Sequence, residues 1–131
     1  MNSLLFDGAF GTYYQYLTNG GIYPELANLN NEPLVFDIHK QYIKSGANAI
    51  KTNTFGANTA VYPDFDSVRD IIKAGFKIAS NAAGSDCAVF ADIGPIRSEP
   101  ANAQAEYLDI VKVFLEQGAV NFLFETLSHA D

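Results

Sequence analysis

Four short apolar runs in this chain each end on residues able to do chemistry. Leu4-Leu5-Phe6 runs into Asp7-Gly8, Ala49-Ile50 into Lys51-Thr52-Asn53, Ala88-Val89-Phe90-Ala91 into Asp92-Ile93-Gly94, and Phe122-Leu123-Phe124 into Glu125-Thr126. Carboxylates placed this way can hold a cation or receive an ammonium group, and amides and hydroxyls can orient a ligand. The stretch Asp7-Gly8-Ala9-Phe10-Gly11-Thr12 adds a glycine-rich turn. Its backbone N–H groups could approach a carboxylate or a phosphate. It lacks the Gly-Lys-Ser/Thr of a phosphate loop and the Gly-x-Gly-x-x-Gly spacing of a dinucleotide site. The plainer reading is a tight turn capped by Asp7. Lys51-Thr52-Asn53-Thr54-Phe55-Gly56-Ala57-Asn58 supplies orienting groups rather than acid–base groups, with ordinary turn chemistry as the alternative. Glu125 closes an apolar strand, where a lone carboxylate is costly. It either faces Asp7 across a shared mouth to hold an ammonium group or forms a structural ion pair with Lys51 or Arg97. Asp92, just before Gly94-Pro95, reads as a turn residue.

The segments between these runs must position them, and they have helical periodicity. Val68, Ile71, Ile72, Gly75, Phe76 and Ala79 make a one-sided stripe, with Asp66 or Ser67 as its N-cap. Residues 33–45 repeat the pattern through Val35, Ile38 and Tyr42, with Pro33 in the first turn and Gly46 as the stop. A third helix is expected over 104–117, with Tyr107, Leu108, Val111, Phe114 and Leu115 inward and Gly118 ending it. The order strand–helix–strand–helix–strand–helix–strand, in units of roughly 35 to 45 residues, demands parallel strands. Two longer connections, 11–31 and 55–66, follow strand ends where functional loops belong. Ser128-His129-Ala130-Asp131 looks like the start of a further helix, so the chain reads as a truncated β/α array.

With 131 residues, 48% hydrophobic and 18% charged, the chain is expected to be one globular domain, 1–131. A net charge of −7 and eight scattered basic residues argue against nucleic acid or an anionic membrane as partner. No apolar run approaches the roughly 18 residues of a membrane span, and the start lacks a secretory signal. A single cysteine excludes an internal disulfide framework, so a cytoplasmic setting is expected.

Several of these motifs together resemble one family. Phe6-Asp7-Gly8-Ala9-Phe10-Gly11-Thr12, Ile38-His39-x-x-Tyr42, Ser45-Gly46-Ala47-Asn48, Lys51-Thr52-Asn53-Thr54-Phe55-Gly56-Ala57-Asn58, Asp92-Ile93-Gly94-Pro95 and Phe124-Glu125-Thr126 follow the order and spacing of the homocysteine S-methyltransferase family. Pro24-Glu25-x-x-Asn28, with Pro33 following, is similar to it as well. Within the family the chain looks closest to the methionine synthase branch and to the branch fused to methylenetetrahydrofolate reductase. The resemblance implies a (β/α)8 TIM barrel that methylates the homocysteine sulfur to give methionine. It also implies a zinc ion held by three cysteines, which stabilises the thiolate. By the same resemblance Asp7 and Glu125 hold the substrate amino group, Gly8, Ala9, Phe10 and Gly11 receive its carboxylate, and Asn53 supports them. The methyl donor implied is methylcobalamin or methyltetrahydrofolate.

A full barrel needs roughly 250 residues, so this chain is expected to be an α/β fold of four parallel strands with crossover helices, half of that barrel. The strands that would carry zinc ligands are missing from it. Cys87 begins its strand, about 16 Å from the functional end at about 3.3 Å per residue, and reads as a small buried apolar residue. His39 reads as a surface or interhelix residue, and His129 as a helix start. The isolated chain is expected to hold no zinc, to transfer no methyl group, and to self-associate through its open barrel edges. Two other readings stand beside this one. One is a flavodoxin-like open sheet that binds a nucleotide or phosphorylated ligand; the other is an inactive structural half-barrel. Strand order separates the first, since a sequential sheet has no switch point.

Overall fold

Asp64 sets the start of the longest helix. Its carboxylate accepts the Ser67 N–H at 2.8 Å, and α4 then runs Phe65–Ala83 in a computed structural model that describes residues 3–125. The cap therefore lies ahead of the expected Asp66 or Ser67. Ser67 is the residue whose N–H is capped, and Asp66 instead meets Arg69 at 2.7 Å. The apolar stripe of α4 is as its spacing requires: Val68, Ile71, Ile72, Gly75 and Ala79 are all buried.

The other elements, in chain order, are α1 (Phe10–Thr18), a single 3-10 turn (Pro24–Leu26), α2 (Ala27–Asn30), α3 (Glu32–Lys44), β1 (Ala49–Lys51), β2 (Ala88–Ile93), α5 (Pro100–Glu116) and β3 (Phe122–Phe124), with α4 between β1 and β2. Helix α3 carries Pro33 in its first turn and stops ahead of Gly46, whose φ of 115° a side chain would strain. Residues 11–31, expected as a long connection, hold most of α1, the 3-10 turn and α2. Their helical propensity is masked by polar Asn and Gly, and tertiary contacts with α3 and α4 decide the matter. Helix α5 begins earlier than expected, at Pro100. Leu108 and Leu115 are exposed, while Ala103, Ile110, Val113 and Phe114 form its buried face.

The strands are parallel and sequential, β1-β2-β3, with Ala49 opposite Ala88 and Asp92 opposite Leu123. Three strands form among the described residues, not the expected four. Leu4-Leu5-Phe6 contributes one parallel bridge, Phe6 to Ala49, on the free side of β1. Leu4 and Leu5 are exposed, so this segment gains too little burial to propagate a ladder. Its position still continues the sequential order, and no reversal offers the switch point of an open doubly wound sheet. The main core lies between the sheet's outer face, with Ala91 and Ile93, and helices α4 and α5. A second cluster joins Phe10 of α1 to Val35 and Ile38 of α3 and Ile78 of α4. Thr126, Ser128 and His129 lie outside the described residues.

His39 is wholly buried between α3 and the start of α1, the interhelix alternative rather than the surface one. Its ring lies 5.2 Å from that of Phe10, and neither ring nitrogen has a hydrogen-bond partner. Burial pushes its pKa down from 6.5 to about 4. The unfolded chain therefore takes this proton first. The stability linked to His39 is whole above about pH 6.5 and is lost as pH falls toward 4. A His39→Leu protein should gain on the wild type across that window by about 1.4 kcal/mol per pH unit. Urea unfolding at stepped pH measures this, and a constant difference between the two proteins would refute it.

Candidate functional site

The carboxyl ends of the strands meet the start of α1 around a cavity of about 350 Å³. Its wall includes Ala9, Phe10, Gly11 and Thr12 from the first turn, Pro24 and Glu25 from the 3-10 turn, Lys51 to Phe55 after β1, Asp92 at the end of β2 and Glu125 after β3. Five of the seven residues singled out by sequence are thus brought together: Ala9, Phe10, Gly11, Asn53 and Glu125. Asp7 and Gly8 sit one step behind the wall.

Asp7 reaches the cavity through Lys51. The Lys51 backbone N–H lies 3.3 Å from both Asp7 carboxylate oxygens, and its Nζ lies 3.7 Å from Oδ1. Burial raises the Asp7 pKa to about 6, outweighing the opposing pull of the lysine charge and of two backbone N–H groups. Lys51 therefore pairs with Asp7. The ion pair considered for Glu125, with Lys51 or Arg97, does not form among the described residues.

Threonines fix the adjacent strand ends. The Asp92 N–H donates to Thr52 Oγ1 at 3.0 Å, Thr52 and Thr54 hydroxyls meet at 2.6 Å, and Thr54 Oγ1 donates to the Asp92 carbonyl at 2.7 Å. Thr54 has one hydroxyl proton and gives it to that carbonyl, so Thr52 must be the donor between the two. The closed relay locks the backbone of Asp92. Its side chain is 4% exposed, and Oδ1 has no hydrogen-bond partner. Asp92 is therefore not the turn residue expected from Gly94-Pro95. Burial first, then a hydrogen-bond contact with Glu125 and the charge of that group, hold its carboxyl well above the usual carboxylate range. Alternation along β2 sets Asp92 on the same face as Phe90, opposite Ala91 and Ile93, and the Phe90 ring meets Phe6 there at 4.9 Å.

Two further residues shape the wall, and sequence flagged them only through the family resemblance. The Glu25 carboxylate accepts the Gly56 N–H at 2.8 Å and the Tyr62 hydroxyl at 2.7 Å, tying the loop after β1 to the 3-10 turn. That contact raises the Tyr62 pKa beyond the effect of its burial. Asn28 Nδ2 donates to the carbonyls of Asn53 and Ile71 at 2.8 and 3.1 Å, and Asn53 Nδ2 donates back to Asn28 Oδ1 at 2.9 Å and to the Pro24 carbonyl at 2.7 Å. A Cβ at Gly75 would stand 2.6 Å from Asn28 Nδ2, so α4 comes this close only as glycine. Asn53 is thereby a structural link as well as a wall residue. The partners of Glu25 lie 31 and 37 residues away in sequence, so no local pattern announces it.

The first turn of α1 has no side-chain cap, since Ala9 occupies the N-cap position. Its first N–H groups are left to a ligand or to water. Cys87 is half-buried ahead of β2, at the opposite end of the strand from the cavity, and burial raises its pKa. Among the described residues no three His, Cys, Asp or Glu side chains group as a metal site. These residues do not fit a zinc held by thiolates. Nor, among them, is any helix long and apolar enough to cross a membrane.

A sequence model described as homocysteine S-methyltransferase matches residues 4–131. The methionine synthase of Mycobacterium tuberculosis (strain ATCC 25618 / H37Rv) is 32% identical over 101 residues, covering 70% of this chain and 8% of that protein. The methionine synthase of Mycobacterium leprae (strain TN) is 28% identical over a stretch of the same length. Among solved structures, the metallated form of the homocysteine methyltransferase MmuM from Escherichia coli superposes with a TM-score of 0.76 at 20% identity. It covers 95% of this chain and 54% of that one. Its apo form gives 0.71 at 23% identity. The chain thus spans under a tenth of the curated relatives and about half of the solved structure, whose likeness carries the barrel-type fold.

The Asp7–Lys51 pair makes a direct prediction. In Lys51→Met the cation that opposes burial is gone, so the Asp7 carboxyl should titrate above about 6. Carbon NMR of labelled aspartate reads this, and an unchanged or lowered midpoint would break the assignment.

Proposed function

Because the chain belongs to the homocysteine S-methyltransferase family, we propose that it forms the amino-acid-recognition part of such an enzyme, 1–131 being one domain built as the amino-terminal half of a (β/α)8 barrel. The observation that carries this reading is the cavity, which sets buried carboxyls opposite an uncapped helix start. An α-amino acid carries both complements, an ammonium group and a carboxylate. The carboxylate of homocysteine docks on the N–H groups of the turn at residues 8–11, favoured by the helix dipole. Its ammonium group faces Glu125, with Asp7 acting through the charge of Lys51 and Asn53 holding the floor. The thiol then projects from the carboxyl ends of the strands.

In this family reading the parent enzyme activates the thiol with zinc and takes the methyl group from methylcobalamin or methyltetrahydrofolate. The described residues bind and orient the amino acid, and zinc ligands come from elsewhere. The chain alone is therefore proposed to be inactive in methyl transfer, and the setting to be cytoplasmic. The −7 charge favours neither nucleic acid nor anionic membrane as a partner. Leu4 and Leu5 on one side of the sheet and Phe124 on the other are exposed, which supports self-association through open edges.

Calorimetric titration tests the reading. L-homocysteine should bind at least about tenfold more tightly than 4-mercaptobutyric acid, which lacks the amino group, because a charge-assisted contact is lost. Equal affinities would sink amino-group recognition. Sedimentation at micromolar concentration should show a species heavier than one chain, and a clean monomer would remove self-association.

A further inference from the structure

Glu25, Asp92 and Glu125 line the cavity, with Lys51 as the basic side chain among the described wall residues. Their situations differ. Glu25 is consumed by the Gly56 N–H and the Tyr62 hydroxyl. Lys51 is committed to Asp7, which lies behind it. Asp92 keeps Oδ1 buried and unpartnered, and Glu125 stands on the same cavity wall, two residues beyond Leu123, the register partner of Asp92. The threonine relay denies Asp92 any backbone swing toward water. Two neighbouring carboxyls, one of them buried, resist being ionised together. An unsatisfied buried acceptor also carries a desolvation cost that only a new donor removes.

We propose that Asp92 and Glu125 share one proton before substrate arrives, and that the ammonium group of the amino-acid substrate takes that proton's place. The inference rests on the amino-acid reading of the cavity and adds a residue and a stoichiometry to it. Asp92 becomes a direct acceptor for the amine, beside Glu125. Charge balances across the exchange: one ammonium enters the pair, one proton leaves to solvent, and no covalent bond changes. The ammonium group has three donors, enough to satisfy Oδ1 of Asp92 and the Glu125 carboxylate together. The neighbouring charges act in a known sense. Lys51 opposes the protonated pair, and Asp7 favours it. An amino acid without a positive nitrogen could not displace the proton and would leave Oδ1 unsatisfied.

Two measurements on the whole chain decide the matter. Infrared spectra taken well above the Asp7 midpoint should show the carbonyl stretch of a neutral carboxylic acid in the wild type and none in Asp92→Asn; a wild type without that band overturns the shared proton. Calorimetric titration with L-homocysteine, repeated in buffers of different ionisation enthalpy, should report release of about one proton per ligand. Asp92→Asn should release close to none and bind at least about tenfold more weakly, with its amide NMR spectrum otherwise preserved. Homocysteine binding with no proton release, or release unchanged in Asp92→Asn, overturns the exchange and leaves the amino-acid reading standing. No binding heat from the wild type would overturn both.

Discussion

Asp7, Glu25, Asp92 and Glu125 gather at the carboxyl ends of one small sheet, and carboxyls withdrawn from water must be paired, hydrogen-bonded or protonated. The first two answers are in use. Asp7 is paired with Lys51 at 3.7 Å, and Glu25 accepts from an N–H and a hydroxyl. Asp92, buried beside Glu125, has its carboxyl held well above the usual carboxylate range, which favours the third answer. The surrounding architecture follows from keeping these answers apart. The 3-10 turn places Glu25 beyond reach of Lys51's pairing with Asp7. The parallel register sets Lys51 opposite Phe90, two residues short of Asp92, so the cation and the buried acid occupy successive levels of the wall.

That arrangement needs rigid strand ends, and neutral polar side chains provide them. Thr52 and Thr54 close a relay around the backbone of Asp92, and Asn28 and Asn53 bind one another while each also holds a carbonyl. Every one of these residues is buried. Satisfied networks of this kind rigidify, because any displacement strands a polar atom away from water. The polar run after β1 is thus a framework for the acids rather than a second set of reactive groups.

Much of this was legible from residues alone. The α4 stripe, Pro33, Gly46 and Gly118 mark helices by short-range rules, and parallel strands follow from the spacing of the apolar runs. The misreadings share one physical cause. Leu4-Leu5-Phe6 has the composition of a strand, but whether it pairs depends on neighbours far along the chain. The roles of Glu25 and Asn28 depend on contacts 25 to 43 residues distant. Asp92 looked like turn chemistry because Gly94-Pro95 follows it. Its burial became visible only once β3 and Glu125 were laid beside it. The family resemblance reached Glu25 and Asn28 where local pattern could not, by carrying information about tertiary partners.

Fold and site also share a proton economy. His39 packs on Phe10, the residue that opens α1 and lines the cavity, so the uncapped turn is braced by a buried neutral imidazole. The folded pKa of His39 is lowered to about 4, so its link to stability weakens as pH falls from about 6.5. That of Asp7 is raised from 3.8 to about 6, so the folded state binds its proton first and loses relative stability as pH rises through that window. Between about 4 and 6 the folded chain holds the Asp7 proton and the unfolded chain holds the His39 proton. The two slopes oppose one another and largely cancel. A buried histidine with no hydrogen-bond partner thus offsets the pH dependence that a buried acid brings to the mouth of the site, without touching the cavity itself.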